Sequence, residues 1–295
     1  MQKKKIWENS QYVMMVIPAI VFFILFFAIP LFLTAKSSFY YWRSYSPVME
    51  FVGLENYAAL FQDNLVLGAI KNTLVYAVAC VSLQSVIALP VAAVLNTKFP
   101  GRNIFRAVFF CPTVLSTLVV GYLWKYLLSS SDYGFVNQVL RGLGFETVNF
   151  LGSSKYALAM IIMTQVWQWL GYAMVLYLGN MQSISGELYE AASIDGANAM
   201  HSFWHITIPG CAPAIKVNLI TGAIRALQVF DIILAMTMGG PAHKTETILT
   251  LMFQNFTNGD YGYASSFGIL FLLVTMALTV VLLRIFSKWE RRLGQ

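Results

Sequence analysis

Apolar residues run along this chain in long blocks, and polar residues gather between the blocks instead of alternating with them. The blocks fall at 12–34, 72–95, 104–128, 156–178, 211–238 and 264–286. A helix rises about 1.5 Å per residue, so roughly 20 apolar residues cross a hydrocarbon layer of about 30 Å. The pattern predicts an all-α membrane protein of six transmembrane helices, forming a single transmembrane domain over residues 1–295. In the second block Ala77, Ala79, Ala88, Ala92 and Ala93 offer small surfaces on which another helix can approach closely. The third block contains Pro112, and it reads as one span because bundle neighbours can resatisfy the carbonyl that a proline frees.

The one long polar stretch with membrane-grade apolar sequence on both sides is 185–209, between the fourth and fifth blocks. Ser185 is placed to cap a helix whose beginning holds Glu187 and Glu190, acidic residues favoured at the positive end of the dipole. Gly196 stops that helix, because glycine accepts the left-handed conformation that closes it. A second short helix follows from about 198 to 208, until Pro209 turns the chain back toward the membrane. The expected unit is a helix-turn-helix outside the bilayer. Helices that lie on lipid headgroups are rich in Lys and Arg on their polar face. This stretch presents Glu187, Glu190 and Asp195, with no Lys or Arg before Lys216, and so suits a basic protein cleft better than an anionic lipid surface.

Composition agrees with a bilayer location. With 58% hydrophobic and 11% charged residues the chain is no soluble globule, and six spans leave no room for a separate soluble enzyme domain. The net charge of +6 sits at span ends, which is the signature of topology and not of a nucleic-acid surface. Basic clusters at 3–5 and at Arg284, Lys288, Arg291 and Arg292 place both termini on the cytoplasmic side. An even number of crossings follows, so the charged fifth block must cross as well. Lys98, Arg102 and Arg106 then lie inside together with the 185–209 loop. Against the bias, Lys36, Arg43, Lys71, Lys125, Arg141 and Lys155 lie outside. Trp7 and Trp289 suit the inner interface, Trp42 and Trp124 the outer one. The first block is too long for the apolar core of a signal peptide and reads as a span. The polar segment 129–155 reads as an outer loop with a short lid-like helix. The three cysteines, Cys80, Cys111 and Cys211, show no pairing motif and are expected to be reduced packing residues.

The loop carries a resemblance. Glu190-Ala191-Ala192, Asp195-Gly196-Ala197, then Phe203, Ile206, Ile208 and Pro209 resemble the cytoplasmic "EAA" coupling loop of permease subunits in binding-protein-dependent ABC importers. Gly186 departs from the proline common there, which implies a looser helix start. Phe51-Val-Gly-Leu-Glu-Asn-Tyr57, Gly239-Gly240-Pro241 and Tyr261-Gly262-Tyr263-Ala264 are similar to segments of the sugar (maltose-type) subgroup. The resemblance implies a bacterial inner membrane protein whose loop between helices 4 and 5 docks on an ATPase. Glu187, Glu190, Ala191, Ala192, Asp195, Gly196, Ala197, Phe203, Ile206 and Pro209 would be the coupling residues. It also implies a second, different permease subunit, two cytoplasmic ATPase subunits that hold ATP and Mg, and an extracellular solute-binding protein.

The fifth block is the unusual one. If it is helical throughout, Asn218, Thr221, Arg225 and Gln228 fall at i, i+3, i+7 and i+10 and make one polar seam, with Asp231 six residues beyond Arg225. An arginine in a bilayer persists only with a partner or a wet cavity. Either Arg225 is a structural residue satisfied by carbonyls of a neighbouring helix, or the seam lines a substrate path, with Gln228 placed to bridge Arg225 and Asp231 and with Phe230 or another nearby aromatic stacking on a sugar ring. Catalytic chemistry is not expected. Gly240-Pro-Ala-His-Lys-Thr245 lacks the glycine that a phosphate loop needs before its lysine, so this chain holds no ATP and is no enzyme. His201 and His205 are spaced for zinc, but Ser202-Phe203 replaces the glutamate of the zinc-protease motif, and no metal site is expected. An importer permease for a non-sugar solute is the alternative, and less so a secondary transporter, which would show a matching broken helix in the first half.

Overall fold

The computed structural model describes residues 14–46 and 48–292, with side chains as far as 285. The basic cluster at 3–5, Trp7, and the side chains of Lys288, Trp289, Arg291 and Arg292, on which the expected orientation rests, lie outside the described residues. Apart from one short hairpin the regular structure of the described chain is helical, and the chain divides into two compact units, one within 1–63 and 252–273 and the other within 64–251 and 274–295.

The first unit begins with α1 (Met14–Ser37), an apolar helix long enough to cross a membrane. Its backbone widens at Ile24–Ala28, where the Ile29 N–H bonds the Ile24 carbonyl one residue further back than in a regular turn. Pro30 follows at once. It has no N–H to give and its ring crowds the preceding turn, so the wider turn lets the helix continue through it. The hairpin β1 (Tyr40–Tyr41) and β2 (Glu50–Phe51) pairs Tyr40 with Phe51 and Tyr41 with Glu50. α2 (Glu55–Gln62) is clipped to it by the buried Asn56, whose amide donates to the carbonyls of Ser38 at 2.9 Å and Tyr40 at 3.0 Å. The 51–57 phrase of the sequence is thus the clip between strand and helix. At the far end of the unit Asp260 pairs with Arg43 at 3.1 Å, just before α12 (Tyr261–Arg292) begins.

In the second unit α7 (Ala157–Met181) is the central helix, packed on α3 (Asn64–Asn96), α4 (Arg102–Val114) and α10 (Ala212–Leu227). Two apolar clusters fill the space. One gathers Tyr76, Cys80, Val120, Ile161 and Ile233, and the other gathers Ala88, Ala92, Ala173, Met174 and Tyr177. The alanines of α3 do provide close approach: Ala77, Ala88 and Ala92 are buried, and Ala79 and Ala93 pack against the clusters. α7 and α4 also approach closely at Gly171, where a Cβ would collide with the Phe109 carbonyl oxygen of α4. α6 (Phe135–Gly142) is the short helix of the 129–155 segment.

Two expectations need correction. The third block is not one continuous helix: α4 ends at Val114, α5 (Thr117–Leu127) follows, and the two are bent by 100° at Leu115 and Ser116. The break is held by α7. Gln168, fully buried, donates to the Leu115 carbonyl at 3.0 Å and to Thr117 Oγ1 at 3.3 Å, and Thr113 donates to the Gln168 carbonyl at 2.9 Å. The neighbouring helix thus supplies a donor to the Leu115 carbonyl, and it stabilises a bend and not a straight helix. The fifth block is broken too. α10 stops at Leu227, Gln228 to Phe230 turn, and α11 (Asp231–Met236) is a separate short helix. Among the described residues four helices are long and apolar enough to cross a membrane as continuous segments, and the bent pair adds a fifth if it is one span.

Candidate functional site

The loop 185–210 forms the anticipated helix-turn-helix. α8 (Gly186–Ile194) starts at Ser185, whose hydroxyl accepts from the Glu187 N–H at 3.3 Å. It closes through Gly196 at φ +81°, and the Ala197 N–H reaches the Ala192 carbonyl at 2.8 Å. The side chain of Asn198 then accepts from the His201 N–H at 2.8 Å and opens the second helix, α9 (199–210). This helix extends past Pro209 to Gly210 instead of ending there. The wide turn at Phe203–Thr207, with the Ile208 N–H bonded to the Phe203 carbonyl, makes room for the proline as in α1. Tyr189 and Thr207 join the two helices through their hydroxyls at 3.0 Å.

Glu187, Glu190, Ala191, Asp195, Gly196 and Pro209 are exposed on this unit, while Ala192, Ala197, Phe203 and Ile206 are half-buried in its interior. Exposed apolar side chains stand beside the acidic ones: Ile194 is 87% exposed, Met200 64% and Trp204 59%. The surface is therefore mixed acidic and apolar. His201 and His205 stack with ring centres 4.0 Å apart, and no group of three metal-ligating residues exists among the described residues.

The second feature is a cavity of about 300 Å³ where α3, α5, α7 and α10 converge with the turn after Leu227. Of the six residues of the expected substrate path, Arg225, Gln228, Phe230 and Asp231 line it, and Asn218 and Thr221 do not. Asn218 is fully buried, donating to Tyr177 Oη at 2.8 Å and Ser85 Oγ at 3.2 Å, and it ties three helices together. Thr221 is exposed and donates to the Val217 carbonyl of its own helix at 2.7 Å. The turn at Gln228 is what divides the seam: it brings Gln228, Phe230 and Asp231 around the cavity by loop geometry and not by helical spacing. No ion pair joins Arg225 to Asp231, and Gln228 bridges neither of them, among the described residues.

Arg225 is held by aromatic rings. Its guanidinium carbon lies 3.9 Å from the Trp169 ring centre and 5.1 Å from that of Tyr172. The sequence reading does not single out Trp169, Tyr172, Gln165 or Gln84 for this site, although Gln84, Gln165 and Trp169 line the cavity. The available signal is polar residues inside apolar blocks, since Gln84 and Gln165 interrupt theirs as Arg225 does.

Residues 84–293 match the family described as binding-protein-dependent transport system inner membrane component. The chain is 35% identical over 276 residues to the probable ABC transporter permease protein YurN of Bacillus subtilis, which covers 92% of this chain and 94% of that protein. It is 33% identical over 283 residues to the trehalose/maltose transport system permease protein MalF of Thermococcus litoralis, covering 96% of each. Among solved structures, a chain of a bacterial ABC transporter involved in the import of the acidic polysaccharide alginate superposes with a TM-score of 0.85. That likeness is one of fold, at 24% identity over 97% of this chain and 98% of the other.

Proposed function

Because this chain belongs to the family of binding-protein-dependent transport system inner membrane components, we propose that it is the permease subunit of an ATP-driven importer for a sugar or related polar solute. It crosses the bacterial inner membrane six times, the third crossing being the bent α4–α5 pair and the fifth the broken α10–α11 pair, with both termini cytoplasmic. One domain thus forms half of a translocation path, a second and different permease subunit forming the other half. The 185–210 unit faces the cytoplasm and docks on one of two ATPase subunits, which hold the ATP and Mg. An extracellular binding protein delivers the solute.

The observation that carries this reading is the pairing, in one chain, of a capped, exposed helix-turn-helix with a polar, aromatic-lined cavity among apolar helices. An acidic and apolar surface that is left uncovered is what a basic, partly apolar protein cleft would bind. Amides and aromatic side chains suit hydroxyl-rich solutes, whose binding must be weak enough for release. The test is co-expression with the neighbouring gene products, purification through a tag on this chain, and uptake assays in sealed vesicles with the binding protein. ATP-dependent uptake of a maltose-type sugar with an ATPase subunit retained is the expected result. Uptake driven by an ion gradient, with no ATPase subunit retained, would identify a secondary transporter instead.

A further inference from the structure

The cation in the cavity makes no ion pair with a protein carboxylate among the described residues. Arg225 is half-buried in α10, and among the described residues no carboxylate lies within ion-pair distance of it. Its contacts with Trp169 and Tyr172 hold the guanidinium and offset part of its desolvation, but they supply no full counter-charge. They also engage none of its five N–H donors, and none of these reaches a protein acceptor among the described residues. Gln84, Gln165 and Gln228 line the same 300 Å³ cavity and bring neutral amides. Asp231, the remaining charge of the lining, begins α11.

We infer that this cavity selects an acidic sugar, a uronate whose carboxylate takes the N–H fork of Arg225 while its hydroxyls meet the amides and Asp231. The inference rests on the reading of the chain as a sugar permease and names the class of sugar. A planar guanidinium matches a carboxylate through two parallel hydrogen bonds. A neutral sugar leaves the half-buried cation without an anion partner, and that difference separates the two solutes. Asp231 in the same cavity repels the carboxylate and keeps its binding weak enough for passage.

The experiment compares uptake of digalacturonate and of its carboxyl-reduced, neutral counterpart by the complete transporter in sealed vesicles. The ratio of kcat/KM for the two solutes is measured for the wild type, Arg225→Gln and Arg225→Lys with the same binding protein, whose own preference then cancels between variants. Arg225→Gln is expected to lower the acidic-to-neutral ratio about tenfold, and Arg225→Lys to keep part of it. Gln228→Glu, a second variant that leaves the Arg225 stack intact, adds a like charge for the carboxylate to meet and is expected to lower acidic uptake more than neutral uptake, and so to lower the same ratio. A ratio unchanged in both Arg225→Gln and Gln228→Glu, or equal loss of both solutes in each, overturns the inference while leaving a sugar permease. A wild-type transporter that takes up neither solute, nor any neutral sugar, refutes the underlying reading and the inference with it.

Discussion

The Gln168 side-chain amide donates at 3.0 Å to the carbonyl of Leu115, the residue at which the third apolar block bends. A helix break inside a bilayer exposes backbone groups that no water can satisfy, so the bend requires a donor from a neighbouring helix. Gln168→Leu should therefore lower the unfolding midpoint of the purified chain, by a loss of about 1–2 kcal/mol. An unchanged midpoint would show that another group takes up the Leu115 carbonyl.

The crossing of α7 over α4 depends on the missing side chain at Gly171, where a Cβ would strike the Phe109 carbonyl oxygen. Gly171→Ala is expected to destabilise by about 1–3 kcal/mol through overpacking. Gly68→Ala, in α3 with nothing within 4 Å of the added methyl, should be neutral or stabilising by about 0.5–1 kcal/mol. Thermal midpoints of both variants in one detergent make the comparison, and equal effects would refute the close crossing.

Asn218 and Gln228 share the expected polar seam but occupy different surroundings, and they should respond differently. Asn218→Leu leaves Tyr177 and Ser85 without their shared amide and should lower stability with solute selectivity unchanged. Gln228→Ala removes an exposed amide from the cavity wall and should alter selectivity or uptake rate with stability unchanged. The reverse pattern in uptake and melting assays would move the path to the other side of α10.

Gly196 holds φ +81°, a backbone conformation that costs a residue with a side chain about 1–2 kcal/mol. Gly196→Val should distort the turn between α8 and α9, and Glu190→Arg should reverse a charge on its exposed surface. Both are expected to reduce ATP-dependent uptake while membrane insertion stays normal. Full uptake in both variants would remove the loop from coupling.

Orientation is open to direct labelling. Cysteines placed at the exposed positions Ser130 and Ala199, in a chain whose exposed Cys111 is replaced by serine, should react with an impermeant reagent from opposite sides. Position 130 is expected to react in intact cells and position 199 only after permeabilisation. Labelling in the opposite order would invert the topology.

Much of this was legible in the residues because it depends on local physics. Apolar blocks longer than a bilayer is thick declare membrane helices, and Ser185, Gly196 and Asn198 mark helix boundaries through bonds to residues at most a few positions away. Small residues along α3 announce close packing without naming the neighbour. What only the tertiary structure decided are the breaks and the company of Arg225. The bend at Leu115 depends on Gln168, 53 residues away in the chain, and no periodicity within 104–128 contains it. Continuing the α10 spacing through Gln228 put Asn218 and Thr221 in the cavity and left Trp169 out. The end of the helix at Leu227 and the arrival of α7 beside it reversed both, because a helical period predicts faces only as far as the helix runs, and the packing of a second helix lies outside any local pattern.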